Sequence, residues 1–426
     1  MTQHPSSDTT IFLDQPPSCL QFHPSSPNHF LVGTYLLSEH KEDDSAPIQQ
    51  TKTGSLQLWH LDPATNQLTL RHKHPLPFAV FDLHFHPTDP TLAAIATSAA
   101  SVVFFRINPD IDAGEDVSSC IKEIHSHQVH EDPSIPALYL AWLPAGWHST
   151  ITTSTSNVET EYGFAVTFSD GLTTIFNTNL PSPPNSFSIA EESSYPATQQ
   201  IEVWFVAAAT YPPPQSDGGD KMRYIFTGSD FGSLHTRYLP APSSNTNSDD
   251  EDEAEASTPI LSHDDRARHH TAGVTAILPL PVPMTDGAPW LLTGSYDESL
   301  RVYHASRRGE VLGEIGLGGG VWRLQVLSTQ SRTLDGEEGG REWECLVLAS
   351  CMHAGTRVVK VRVVGGESGE LRECEMDVLA EFTEHESMNY ASDVWNLGGN
   401  QGAGGELVVV SSSFYDRRVC VWRVNV

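Results

Sequence analysis

A hairpin unit that recurs with fixed internal spacing constrains this chain more than any other feature. Residues 291–303 (LLTGSYDESLRVY) can be laid over 347–359 (VLASCMHAGTRVV) and over 410–422 (VSSSFYDRRVCVW). Each copy has an apolar run, a step of small residues, a turn residue (Asp297, His353 or Asp416) and a second run ending in an aromatic or aliphatic side chain. Apolar runs of this length on either side of a turn signal read as β-hairpins. Weaker copies lie at 224–234, 163–176, 92–105 and 54–59. An innermost-strand signal precedes each hairpin, at 18–24, 81–87, 138–142, 202–204, 273–277, 320–322 and 393–395. A lone blade would leave apolar faces and strand edges exposed, and closing a ring packs every blade against two neighbours. The reading is therefore an all-β fold, a seven-bladed WD40-type β-propeller with long loop insertions, spanning 1–426 as one domain. Residues 10–13 are expected to supply the outer strand of the last blade.

The intervals between units exceed those of compact repeats, so 109–134, 180–198 and 240–268 are read as inserted loops. The last of these holds Asp249, Asp250, Glu251, Asp252, Glu253 and Glu255 after a serine-rich stretch, a composition expected of a solvated, disordered insertion. Across the chain 54 acidic residues face 24 Lys and Arg, a formal charge of −30. Such a surface is poorly suited to neutralising phosphates, so no direct nucleic-acid contact is expected and a basic protein partner fits better. The six cysteines form no CxxC pair, and free thiols in a reducing compartment are expected. The first ten residues are polar, and no run of about 18 apolar residues occurs anywhere. A cytoplasmic, monomeric protein away from membranes is the expectation.

The segments 293–298 (TGSYDE), 314–323 (EIGLGGGVWR), 349–355 (ASCMHAG) and 412–416 (SSFYD) resemble the diphthine methylesterase family, the WD-repeat members of the diphthamide pathway. The likeness covers blades four to seven, about residues 200–426, whereas the earlier blades carry generic repeat features. It implies hydrolysis of the methyl ester of diphthine methyl ester, a modified histidine of translation elongation factor 2, before the amidation step, with no cofactor. A noncatalytic WD adaptor for a ubiquitin ligase or trafficking complex is the rival, because the fold alone supports binding equally well.

Familiar hydrolase motifs are missing. The chain holds no G-x-S-x-G elbow and no H-E-x-x-H pair, and His84, His86, His269 and His270 read as strand-edge and loop histidines, with no metal site expected. Asp297 and Asp416 are expected to tie down the turns of their own blades. His353 replaces such an aspartate. Imidazole titrates near neutrality, so His353 is the candidate base, with Cys351 a candidate nucleophile or a buried structural thiol and Arg323 a candidate partner for the oxyanion. The triplets 202–204 (EVW), 320–322 (GVW) and 393–395 (DVW) read as one pattern on three blades. Glu202, Asp393, Tyr390 and Trp322 are then candidates for a cage around the trimethylammonium group that the family resemblance implies, while wedging between blades is the alternative for the tryptophans.

Overall fold

A computed structural model of the chain describes residues 1–41, 49–109, 117–148, 162–179, 187–212, 221–240, 258–334, 340–366, 370–395 and 405–426. The acidic run at 249–255 lies outside them. The described residues form seven antiparallel sheets, six of four strands and one of five. Their innermost strands follow in chain order: Pro17–Phe22, Val80–Phe85, Ala137–Trp142, Val203–Tyr211, Val274–Pro279, Arg323–Thr333 and Asn389–Trp395. Each packs against the next, and the first packs against the last, so the ring closes. The seven-bladed propeller expected from the hairpins is the fold.

Closure also rests on hydrogen-bonded strand pairing. Ser7–Phe12 pairs with Arg418–Asn425 as the outer strand of blade seven, so the two ends of the chain share one sheet. The strand includes Thr10, Ile11 and Phe12 of the expected segment; Leu13 follows it and is buried in the cluster between blades seven and one. Gln3 extends the clasp with a bridge to Ala380 of blade six.

The outer strands were harder to read. Ile121–Gln128 lies within 109–134, Ser188–Pro196 within 180–198 and Leu261–Asp264 within 240–268. Each pairs with the third strand of its blade, so these stretches are not insertions throughout. Their sequences hide this because they meet solvent: in IKEIHSHQ only Ile121 is buried, the rest are half-buried or exposed, and there is no apolar run.

Blade-to-blade packing sets the level of the channel mouth. A Cβ on Gly33, Gly228 or Gly294 would come within 3 Å of Val80, Val274 or Val321, so each glycine lets the next innermost strand approach closely. Within blades five and seven, buried polar groups fix the turns. His270 contacts Thr293 Oγ1 at 2.8 Å, and Asp297 accepts from the Thr271 N–H (2.9 Å) and from Arg301 (2.8 Å). Burial alone raises the Asp297 carboxyl, yet the hydrogen bond and charge of His270 together with these donors hold it well below the usual range. In blade seven His385 contacts Ser411 Oγ at 2.8 Å, Trp422 Nε1 donates to the same hydroxyl at 3.0 Å, and Asp416 accepts from the Glu386 N–H and Ser387. Both aspartates thus serve the blade-tying role expected of them.

Burial pushes the His385 imidazole down to about 4, whereas histidines of the unfolded chain titrate near 6.5. The unfolded chain takes the proton first, so this contribution to stability is whole above about pH 6.5 and is lost as pH falls toward and through 4. Urea unfolding should show a loss of about 2 kcal/mol between pH 7.5 and pH 5 from this group, absent in His385→Gln.

Candidate functional site

The loops that lead into the innermost strands and the turns between second and third strands lie on one face. Tyr296 N–H donates to Gly273 O (2.9 Å), Phe414 N–H to Met388 O (2.9 Å) and Trp322 N–H to Ser350 O (2.8 Å). Strand pairing is irregular at the same level in several blades, between Val203 and Phe205, Asn389 and Ala391, Val80 and Asp82, and Val274 and Ala276. The residues there, Trp204, Tyr390, Phe81 and Thr275, are equivalent to Trp322, which follows Val321. The aromatic members of this set frame the mouth of the central channel, whereas Thr275 is buried with its hydroxyl donating to the Val321 carbonyl.

This register corrects the three-triplet pattern. The copy in blade seven of 202–204 and 320–322 is Met388-Asn389-Tyr390. Asp393-Val394-Trp395 sits at the far end of its strand, and Trp395 donates from Nε1 to Asn28 Oδ1 at 2.8 Å within the blade-one junction. The likeness of DVW to EVW and GVW is a coincidence of composition, offset along the strand. Asp393 therefore does not share a rim with Glu202. Its carboxylate is buried and accepts from the Phe22 N–H (2.8 Å), Gln325 Nε2 (2.8 Å) and the Val394 N–H (2.7 Å). Burial raises its carboxyl despite these donors.

Half-buried rings collect at the mouth. Trp204, Tyr296 and Trp322 form a triangle with centroids 5.6, 5.9 and 6.3 Å apart, and Trp322 meets Tyr390 at 5.0 Å. At these separations the rings touch one another and leave no space for a cation among them. Trp204 is oriented by a 2.7 Å hydrogen bond from Nε1 to Asp230, and Glu202 lies half-buried just before it.

Below the mouth is a cavity of about 300 Å³. Arg323 enters it from blade six, at the same level as Asp82 on blade two. Its guanidinium carbon lies 4.7 Å from the ring centroids of Tyr139 and Trp322 and 5.7 Å from that of Phe205, with one nitrogen 4.0 Å from Asp82 Oδ1. Asp82 also accepts from the Leu140 N–H (3.1 Å), and its Oδ2 is 2.9 Å from His84 Nε2. The strand period of two puts Asp82 and His84 on one face of their strand, into the channel.

His84 is the residue that the sequence reading passed over. Its spacing from Asp82 was the available signal, but nothing in one strand announces an arginine arriving from four blades away. His353 is exposed on the turn 351–355, which lies against Gly319 and Gly320 as expected, at the outer edge of the mouth. Cys351 beside it is fully buried, donates its S–H to Ala349 O at 3.6 Å and has its thiol pushed up to about 12 by burial. Burial of this kind suppresses the thiolate form and closes the approach to it, which fits the structural alternative. Of the sequence candidates, Arg323, Tyr390 and Asp393 line the cavity, Trp322 stands at the mouth above it, Glu202 lies at the rim, and Cys351 is buried away from it. Asp393→Asn should lower stability by about 1–3 kcal/mol, measured by denaturant unfolding, because the amide nitrogen cannot accept as the carboxylate oxygen does.

No family model matches the chain. It is 29% identical over 153 residues to a protein named diphthine methyltransferase from Schizosaccharomyces pombe, a stretch that spans 36% of this chain and 38% of that protein. Among solved structures, a chain of the mitotic checkpoint complex aligns with a TM-score of 0.53 at 11% identity, covering 98% of this chain and 92% of its own. Chaetomium thermophilum Sqt1 bound to the N-terminus of ribosomal protein L10 aligns at 0.51 and 14% identity, over 98% and 100%. Saccharomyces cerevisiae Sqt1 aligns at 0.50 and 12%, over 99% and 100%. At such identities these structures are similar in fold, a seven-bladed propeller of WD repeats; the relationship to a diphthine-related protein is partial and distant.

Proposed function

We propose that the chain hydrolyses the methyl ester of diphthine methyl ester on translation elongation factor 2, with the chemistry in the central channel. The observation that carries this reading is the convergence of Asp82, His84 and Arg323 from two blades on one cavity. It is supported by the partial similarity to the Schizosaccharomyces pombe protein named diphthine methyltransferase. In this reading His84, whose Nε2 lies 2.9 Å from Asp82 Oδ2, takes a proton from water on a ring nitrogen as the water oxygen attacks the ester carbonyl carbon. The carbonyl electron pair moves to oxygen, and the tetrahedral oxyanion is stabilised by Arg323. Collapse breaks the bond to the methoxy oxygen, which recovers the proton from His84 and leaves as methanol; the other product is the carboxylic acid, which releases its proton to solvent and becomes the carboxylate. Neither metal nor thiol is required in this scheme.

A protein substrate suits the same face. Phe231 and Tyr415 stand 67% and 68% exposed on turns beside the mouth, where buried aromatic anchors in an interface are most effective. The chain's charge of −30 favours a basic partner segment. The adaptor reading rests on this exposed face alone, and it predicts partner binding without methanol release.

Mass spectrometry of elongation factor 2 carrying diphthine methyl ester separates the readings. Purified protein should remove the methyl mass, His84→Ala should lower kcat by about 10²–10⁴-fold, and His353→Ala should leave it nearly unchanged. Equal activity of wild type and His84→Ala would remove His84 from the mechanism, and inactivity of folded wild type would favour the adaptor.

A further inference from the structure

We infer that the face around the channel mouth carries a docking track for an extended, basic segment of a partner protein, anchored by Tyr415 at one end and Phe231 at the other. A chain of rings in contact runs between them. Tyr415 meets Phe414 with centroids 5.1 Å apart, Phe414 meets Tyr390 at 5.4 Å, Tyr390 meets Trp322 at 5.0 Å and Trp322 meets Trp204 at 5.6 Å. Trp204 Nε1 donates to Asp230, and Phe231 is the next residue. The four rings from Phe414 to Trp204 are half-buried, so they offer a continuous apolar platform across the mouth, from blade seven through blade six to blade four.

Neither anchor is called for by its own blade. Gly228 pairs with Leu234 in blade four as Gly294 pairs with Leu300 in blade five, so Phe231 occupies the place of the turn-tying Asp297. A phenyl ring has no group with which to tie a turn. Instead it stands 67% exposed on a backbone held at φ +59°, a left-handed conformation that bulky residues rarely adopt. In blade seven Ser412 pairs with Val419, which makes that turn one residue longer than the turn of blade five. Asp416 keeps the tying role there, and Tyr415 stands 68% exposed beside it. One apolar ring brought outward by a strained turn and another by an additional residue have the character of anchors that a partner buries.

Charge sets the chemistry of the occupant. Asp230 N–H donates to Glu202 O at 3.4 Å, which places Glu202 beside the blade-four turn, and Glu298 is exposed on the neighbouring turn of blade five. Glu202, Asp230 and Glu298 have no ion-pair partner among the described residues. The adjoining Arg266 and Arg268 are matched by Asp264 and Asp265, at 3.3 and 3.1 Å. At the other end Arg417 donates to the Asp14 carbonyl at 2.9 Å. Cationic side chains of the partner therefore fall over blades four and five and apolar ones along the rings, in keeping with the chain's charge of −30. An extended chain advances about 3.3 Å per residue, so about six residues cover the track. Where the proposed activity holds, this segment flanks the modified histidine; that clause rests on the proposed function, while the track itself does not.

The test is fluorescence anisotropy of the full chain with two labelled peptides of about eight residues, one alternating arginine with leucine and one with glutamate in place of arginine. The basic peptide should bind, more weakly as salt is added, and the acidic peptide should not. Phe231→Gly and Tyr415→Ser should each weaken the basic peptide about fivefold or more, and together at least about tenfold. Glycine adopts the left-handed conformation freely, so Phe231→Gly should also keep or raise Tm, a combination that a merely structural role for the ring does not produce. Unchanged affinity in the double variant overturns the inference, as does failure of wild type to bind the basic peptide or equal binding of both peptides. With elongation factor 2 carrying diphthine methyl ester, the double variant should raise KM and leave kcat nearly unchanged. Methanol release by wild type with peptide affinity unmoved in the double variant would sink the track and leave the esterase reading standing. Peptide binding lost in the double variant of a chain that releases no methanol would do the reverse.

Discussion

The pairing of Ser7–Phe12 with Arg418–Asn425 is the constraint on which the rest of the structure depends. It ties the two ends of the chain into one sheet, and the innermost strands Asn389–Trp395 and Pro17–Phe22 then pack on each other to complete the ring. Closure also defines the channel, since every functional contact across it joins residues far apart in sequence. The junction is filled by the cluster around Phe30, Val32, Val408 and Val421, which joins blades one and seven, while on the other side of blade seven the fully buried Trp422 stacks on Phe382 of blade six with centroids 5.0 Å apart. Packing of this kind is short-range, so the ring is stable only because each blade offers both of its neighbours a complementary face.

What the sequence carried was the local unit. Hairpins such as 291–303 announce themselves because both strands are buried on both faces and read as continuous apolar runs. Outer strands such as Ile121–Gln128 are half exposed and polar, so their pattern resembles a loop. The mouth aromatics were visible as Trp204, Trp322 and Tyr390, but the register that aligns them was not. An offset of five residues along Asn389–Trp395, marked by the irregular pairing near Ala391, decides that Tyr390, and not Trp395, belongs with the other mouth aromatics. Of the candidate site, Arg323 was legible from its place beside the glycine run at 318–320. Its partners Asp82, Tyr139 and Phe205 were not, because they are assembled by the circle and by no sequence spacing.

Electrostatics inside the channel run against the surface. A chain with a net charge of −30 places an arginine among three rings at its centre, with a buried aspartate and a histidine beside it. Low solvent access strengthens each of these interactions relative to the rim, where His353 stands exposed. Burial acts differently on Cys351, whose thiol loses by desolvation the thiolate that a nucleophile needs.

The location of the modified histidine during binding tests the central claim most directly. A crystal structure of the His84→Ala protein with a peptide carrying diphthine methyl ester is expected to show the ester in the channel, between Arg323 and the position vacated by the imidazole. A peptide bound with its ester outside the channel, against the outer strands or on the opposite face, would contradict the account.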